Sequence, residues 1–348
     1  MVYWNHKTLY GVNKMPVQRT DIVYVRPAVV NDGNLNGGEM GTILIVDGVS
    51  ANIFPVVSQA QRIAGNAGQW RKVFVRNQEL LGSGLFNSWA YIENPTPAED
   101  MVFLAVGTLT DTQGSLSNPR LFGCGWLSTT VAGGVSSISV LVEDGDVHIF
   151  QVGDRIRISD KTDIDDLTGN EEYRTLTSVS WSGDVATLGL DTPLDNGYSS
   201  ASQATRVASQ LDLSTIQGSI TSPVVSSVGG TYDNTNYPIL AHNKGSIRQN
   251  ITLTFTSSTA FALVGDTLGS LGSGNISGVN CAPNNPVVGA PYFTINASGF
   301  GGSFQAGDSI TFSVVPSAKS VWLKRVIPAN TPSMSGNRFI LVIEGESE

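Results

Sequence analysis

The chain has little charge. Only 14% of its 348 residues are Asp, Glu, Lys or Arg, whereas globular proteins average about 25%. Because 41% of the residues are hydrophobic, the chain still has enough apolar surface to bury, and this composition excludes a disordered protein. The net charge of −9 argues against nucleic acid as the main partner. Much of the polar surface must therefore be Ser, Thr, Asn and Gly, a neutral composition that suits large packed assemblies.

Cysteines and long apolar runs are also scarce. Cys124 and Cys281 are far apart and match no metal-binding or redox spacing, so we favour two buried thiols over a disulfide. Apolar stretches such as Thr42–Val46 are far too short to span a membrane. The first residues contain no apolar segment of the secretory type. We therefore expect a soluble protein made in a reducing cytoplasm, without a membrane partner.

Catalytic motifs are missing. None of the three histidines, His6, His148 and His242, has a second metal-type ligand at helical or hairpin spacing. The glycine-rich loops at 82–84 and 269–274 contain no lysine and do not lie between a strand and a helix, so they do not predict a phosphate site. No carboxylate pair of the glycosidase type is singled out. We expect a protein that is not an enzyme and that has no cofactor.

One acidic run is the best candidate for a metal site. Residues 160–172 contain six carboxylates, and Asp160, Asp163, Asp165 and Asp166 are the candidate ligands for Ca²⁺. Their order does not match an EF-hand loop, and no helical pattern flanks them. A solvated acidic loop is the favoured interpretation, with Ca²⁺ binding as the alternative.

Strand patterns dominate what is present. Asn250–Thr256 alternates cleanly, and Trp70–Arg76 alternates apolar and basic residues as a strand with one solvated face would. The only helix signal is residues 58–65, where Ser58 is the expected N-cap and Gly65 the expected stop. With 38 glycines, including a loop expected at residues 265–280, the chain is predicted to be all-β.

The charge distribution predicts three parts. Residues 141–200 carry four Lys or Arg against thirteen Asp or Glu, so this segment holds most of the acidity. Six short strand patterns at 134–208 predict an inserted β-barrel or sandwich module. Residues 1–133 are predicted to form the N-terminal β-rich part of a sandwich or barrel main body, and residues 209–348 its C-terminal sandwich part.

Two short segments echo one another. Phe150–Ile156 and Phe304–Ile310 are identical at five of seven positions, and each contains Gly-Asp before a strand. We interpret this as a recurring tight turn whose Asp satisfies backbone donors. A duplicated domain is disfavoured, because the surrounding residues do not match.

The basic strand is the candidate interaction site. Arg71, Lys72 and Arg76 are expected to face acidic groups of a neighbouring subunit. Exposed ion pairs contribute only ~0–1 kcal/mol each, so such contacts would guide register more than supply affinity.

Eight runs of the sequence have a recognisable pattern: Asn36–Met40, Asn52–Gly65, Arg71–Arg76, Asp111–Gly114, Ala241–Gly245, Leu253–Ser257, Val321–Pro328 and Ser335–Arg338. Together they resemble uncharacterised virion structural proteins, of the tail type, of tailed double-stranded DNA bacteriophages. The resemblance covers about two thirds of the chain and is least in the acidic segment. Its motifs are packing and turn motifs without catalytic residues.

The resemblance implies a structural part of a virion, assembled in the host cytoplasm from copies of itself and other virion proteins. Within the particle, a self-assembling tail-tube subunit is the first hypothesis. A baseplate, head–tail connector or capsid decoration protein is the alternative. A hypothesis of another class is a glycan-binding adhesion module, which aromatic residues clustered on one exposed face would support.

Overall fold

The protein is built almost entirely of strands, which confirms the predicted all-β fold class with a small barrel module. The computed structural model describes residues 16–98, 100–143 and 147–347, together with the backbone of residues 2–8. No helix among these residues is long and apolar enough to cross a membrane. The strands fall into a main body, a barrel and a third unit.

The strands are numbered in chain order. The main body begins with β1 Val2–Thr8, β2 Ile22–Val29, β3 Gly37–Leu44, β4 Asn66–Asn77, β5 Leu85–Ile92 and β6 Met101–Val106. The barrel follows with β7 Cys124–Leu127, β8 Ser137–Leu141, β9 Arg155–Ser159, β10 Glu171–Ser182, β11 Val185–Leu190 and β12 Arg206–Ser209.

The chain returns to the main body with β13 Leu211–Ile216 and then builds the third unit. Its strands are β14 Ser219–Ile220, β15 Val224–Ser226, β16 Gly230–Tyr232, β17 Leu240–Ala241, β18 Gln249–Phe255, β19 Ala260–Gly265, β20 Gly269–Asn275, β21 Asn284–Asn285, β22 Ala290–Pro291, β23 Phe293–Thr294, β24 Phe300–Gly302 and β25 Ser309–Val315. Two last strands belong to the main body: β26 Ala318–Ile327 and β27 Leu341–Ser347.

The main body is a sandwich of two sheets. One sheet has the order β3-β2-β4-β26-β6, and the other has the order β1-β27-β5-β13. β1 and β27 pair in parallel, so the first and last strands lie side by side. Apolar side chains from both sheets meet in one core, and its members include Val73, Leu104, Leu323, Leu85 and Ile343.

The predicted helix is confirmed as α1, Gln59–Ala64. Ser58 is its N-cap, because its hydroxyl accepts a hydrogen bond from the Gln61 N–H at 3.2 Å and the Gln61 side chain accepts one from the Ser58 N–H at 3.0 Å. Gly65 ends the helix with φ at +77°, a conformation that glycine adopts without strain.

The acidic segment forms a closed six-stranded barrel in the order β10-β11-β8-β7-β12-β9. It begins at Cys124, before the predicted boundary at residue 134, because the short strand β7 joins β8 and β12. One of the six strand patterns predicted at 134–208, the one at residues 148–152, is wrong. That segment has no strand partner, and it instead places Ile149 and Phe150 in the barrel core.

The two echoed segments form the same turn, in the barrel and in the third unit. Gly153 and Gly307 adopt positive φ, at +90° and +97°. Asp154 accepts a hydrogen bond from the Gln151 N–H at 2.6 Å, and Asp308 accepts one from the Gln305 N–H at 2.9 Å. The turn is therefore the predicted local device, in which the carboxylate satisfies a backbone donor beside a left-handed glycine.

The third unit is organised around a sheet in which β25 pairs with β18, β18 with β19, and β19 with β20. The glycine-rich segment at 265–280, expected to be a loop, contains the edge strand β20. Its small residues favour a loop by propensity, but pairing with β19 gives their backbone groups partners. Buried phenylalanines form much of the core of this unit: Phe255, Phe261, Phe293, Phe304 and Phe312.

Buried ion pairs join the barrel to the main body. Glu93, just after β5, is 1% exposed and lies 2.7 Å from the guanidinium of Arg157 and 3.2 Å from that of Arg206. Burial raises the pKa of Glu93, while the two arginines oppose that shift. A buried charge left without its partner is strongly unfavourable. These ion pairs therefore fix the position of the barrel against the main body. Independent folding of the barrel stays a prediction.

The shared turn yields a test. Replacing Asp308 with alanine should lower the free energy of unfolding by about 1–2 kcal/mol, because the Gln305 N–H and the Ser227 hydroxyl lose their acceptor. Replacing Asp154 with alanine should cost more, because Arg120 also loses its ion-pair partner. Urea unfolding followed by fluorescence measures the change. The D308N variant keeps an acceptor oxygen and should lose less than the alanine variant. Equal midpoints for the alanine variants and the wild type would show that the turns do not depend on the carboxylates.

Candidate functional site

The predicted interaction residues Arg71, Lys72 and Arg76 lie on β4 and are all buried. Arg71 lies 2.7 Å from Asp32, and Arg76 donates to the backbone carbonyl of Lys244. Burial lowers the pKa of Arg76 to about 10. The expected solvated face of this strand is therefore wrong, because loops of the same chain cover it. Their role at a subunit contact stays a prediction, and within the chain they have structural partners.

Lys72 is the centre of a polar cluster. Its ammonium lies 2.6 Å from the Asp111 carboxylate and donates to the Gly38 carbonyl at 2.7 Å. The second carboxylate oxygen of Asp111 accepts a hydrogen bond from the Trp322 indole at 2.7 Å. Burial lowers the pKa of Lys72, and the hydrogen bond to Asp111 opposes that shift. The loop that contains Asp111 is therefore fastened over β4 and β26.

Runs that carry the phage resemblance meet at this cluster. Asn36 donates to the Gln113 side chain at 3.0 Å, and Gly37, with φ at +106°, leaves no room for a Cβ beside the Trp322 ring. The runs at 36–40, 71–76, 111–114 and 321–328 therefore converge on one buried structure. Their chemistry is packing and hydrogen bonding, with no group placed for catalysis.

Another of the eight runs, Ala241–Gly245, connects the third unit to the main body. Asn243 donates to the Ser83 carbonyl at 2.8 Å and accepts from the Gly218 N–H at 2.9 Å. Asn77, at the end of β4, donates to the same Ser83 carbonyl at 2.8 Å. Residues 241–245 thus act as a structural joint.

The acidic run at 160–172 satisfies its carboxylates locally. Asp166 accepts from the N–H groups of Thr162 and Thr168, both at 2.9 Å, and these hydrogen bonds lower its pKa. Asp163 accepts from the Asp165 N–H at 2.9 Å, and Asp160 from the Asn170 N–H at 2.5 Å. Within the part of the chain that the structure describes, no three acidic, His or Cys groups lie close enough to hold a metal.

An aromatic stack with an exposed member lies on the barrel. His148 is exposed and stacks on Trp181 with ring centroids 4.5 Å apart. Phe150 also stacks on Trp181 and is buried. The pair of His148 and Trp181 by itself is smaller than the aromatic face that a glycan-binding module would need, and within the described residues no further exposed ring stacks on it. Elsewhere His242 contacts the Thr294 hydroxyl at 2.7 Å, within the third unit.

The most unusual surface is the free edge of the main body. β3 is the outermost strand of its sheet, and its second half is exposed. Ile43 is 64% exposed and Leu44 53%, and Val46 and Val49 beyond the strand are 61% and 54% exposed. Natural sheets usually protect such edges with charge, proline or a bulge. An exposed apolar edge of this kind marks an interaction surface.

A groove lies beyond this edge. It consists of two recesses, of about 520 and 400 Å³, that share Phe54, Asp100, Arg325 and Asn337. The loop after β3 forms one wall, the segment before β27 another, and Arg62 of α1 lines the larger recess. We call this feature the arginine groove. Its apolar walls include Phe54, Pro55, Val56, Val57, Pro332 and Met334.

The arginine groove has unused hydrogen-bond donors. Arg325 is 6% exposed and donates to the Gln69 side chain at 2.6 Å, but its buried Nε has no partner among the described residues. The buried Nε of Arg62 also has none. Burial lowers the pKa of Arg325, and the Asp100 charge opposes that shift. Asp100 itself accepts from the Asn337 side chain at 2.7 Å.

Sequence reasoning missed the arginine groove. The run at 52–65 was singled out for its resemblance and its helix signal, and the run at 335–338 for its resemblance alone; the two are about 275 residues apart. Arg62 lies in the last turn of a short helix, where a basic residue is ordinary. No local pattern therefore pointed to the groove, which only the folded chain assembles.

The Lys72 cluster gives a second test. K72M should lower the free energy of unfolding by about 3 kcal/mol or more, because it leaves the Asp111 carboxylate without its cation in a buried site. Denaturant titration measures this loss. The double variant K72M/D111N should recover part of it, and K319M on β26 is the matched control. A K72M chain as stable as the wild type would refute the structural role.

No protein-family model matches this chain, and no curated protein matches it significantly. The function must therefore be argued from the surfaces and contacts of the chain itself.

Proposed function

We propose that the chain is a non-catalytic structural subunit that assembles with copies of itself and with other proteins in the virion of a tailed double-stranded DNA bacteriophage. Within that particle we place it first in the tail tube. The free, apolar edge of β3 is the observation that carries the assembly role. The phage resemblance of the sequence supports the kind of particle.

The edge is suited to pairing with another strand. The start of β3 is bridged on its outer side by the loop at 111–112. The outer backbone groups of its second half have no strand partner within the described residues, and Ile43 and Leu44 project on opposite faces there. A second strand would satisfy the backbone and cover both side chains, which is the usual mode of β-augmentation. The first half of β3 is less available, because Glu39 pairs with Arg248 of the third unit at 3.0 Å.

The third unit offers a surface that suits a tube. The outward side chains of β18, Asn250, Thr252 and Thr254, are exposed and uncharged. DNA carries one negative charge per ~1.7 Å of duplex axis, so a basic lining would hold it through counterion release. A neutral face of this kind lets DNA pass, which fits the absence of a nucleic-acid partner in our proposal.

The test is self-association. The wild type should form oligomers that grow with concentration in sedimentation velocity, and electron microscopy should show rings or tubes. Ile43→Lys should weaken association at least about tenfold, since a lysine on an edge strand must be desolvated when another strand pairs there.

Val228→Lys is the matched control. Val228 is fully exposed in the third unit, away from β3, so the same substitution there should leave association unchanged. A wild-type chain that remains monomeric at every concentration, and that is absent from purified particles, would refute the proposal.

A further inference from the structure

We propose that the arginine groove of one copy receives the acidic loop Asp163–Leu167 from the barrel of a second copy. This inference rests on the assembly role proposed above and names the two surfaces that meet. The contact joins different patches of the two copies, so it repeats head to tail and builds a ring or an open filament rather than a closed dimer.

The arginine side chains that line the groove favour an anionic occupant. Arg62 and Arg325 line it, and each has a buried Nε without an acceptor among the described residues. Arg338 lines the second recess and adds a third guanidinium, and among the described residues Asp100 is the carboxylate that lines the groove. A buried donor without an acceptor is unfavourable, so an incoming carboxylate recovers free energy here. Guanidinium and carboxylate groups also match in planar geometry.

The walls of the groove also favour an occupant with an apolar side chain. Phe54, Val56 and Met334 form its walls, and Val56 and Met334 are 73% and 52% exposed. A free anion such as phosphate would bind the arginines but would leave the apolar walls exposed to water. An occupant that combines carboxylates with an aliphatic side chain satisfies both demands at once.

The acidic loop has this combination. Leu167 is 96% exposed, and the neighbouring Asp163 and Asp165 are exposed as well. Asp165 lies 3.4 Å from the Arg19 guanidinium of its own chain, but both side chains of this pair remain largely in water, so the Asp165 carboxylate is still accessible to a second copy. Ile164 points the other way, is 8% exposed and packs against the main body. The loop is thus a small projection with an aliphatic tip and carboxylates around it.

The loop is held in shape before any contact forms. Asp166 caps the turn through Thr162 and Thr168, and Asp163 accepts from the Asp165 N–H. Little conformational entropy is lost when a preorganised projection binds, so more of the contact energy appears as affinity. Charge complementarity between copies follows from the sequence, because the acidic surplus lies in the barrel and the groove arginines lie in the main body.

The experiment is a charge exchange followed by sedimentation velocity. Arg62→Glu places a negative charge in the groove, and Asp165→Arg places a positive charge on the loop. Each variant alone should weaken association at least about tenfold, because like charges then meet across the contact. The double variant R62E/D165R should associate within about threefold of the wild type.

An equimolar mixture of the two single variants should also recover, because each altered surface then has a complementary surface on the other chain. Leu167→Ser tests the apolar tip separately and should weaken association without a change in the thermal midpoint. K244E and D184R repeat the two charge changes at sites that line neither surface, and they should associate like the wild type.

The outcomes separate the two proposals. Association that falls in I43K but is unchanged in R62E, D165R and L167S would overturn this contact and leave the assembly role intact. Weakening by the single variants without recovery in the double variant or the mixture would also overturn it. A wild type that never associates would overturn both. Recovery in both complementing combinations supports the contact.

Discussion

The fold depends on where the strand Ala318–Ile327 lies. It pairs with Asn66–Asn77 on one side and with Met101–Val106 on the other, and so it is an interior strand that joins two parts of the larger main-body sheet. The core of the main body cannot close until the chain has passed through the barrel and the third unit. Pairings over such sequence distances are slow to form because loop closure costs entropy first. The two inserted units have mostly local pairings and are free to form earlier.

Polar joints, rather than large apolar contacts alone, hold the inserted units to the main body. Glu93 meets Arg157 and Arg206 of the barrel, and Asn243 of the third unit meets the Ser83 carbonyl. Buried polar contacts of this kind add less net stability than their number suggests, but they form only when the partner groups have the correct distance and orientation. The three units therefore present their outer surfaces in one arrangement, which an assembling subunit requires.

Local patterns in the sequence predicted local structure well. The helix cap at Ser58, the shared Gly-Asp turn and the alternating strand at 250–256 each depend on neighbouring residues. The alternation around Lys72 was misleading, because its second face is covered by a loop whose Asp111 lies 39 residues away. Whether a strand is central or at an edge depends on the whole sheet. For the same reason, neither the exposure of Ile43 nor the arginine groove could be predicted.

The position of Cys124 makes the docked barrel chemically observable. Cys124 is partly exposed, but its thiol contacts the Glu93 carbonyl at 3.6 Å, beside the ion pairs of the barrel joint, and desolvation of the thiol there raises its pKa to about 12. A thiol reacts as the thiolate, so alkylation of Cys124 is suppressed while the joint is closed. Separation of the barrel would return this thiol to water and to its ordinary reactivity. The rate of alkylation of Cys124 would therefore measure how often the barrel separates from the main body.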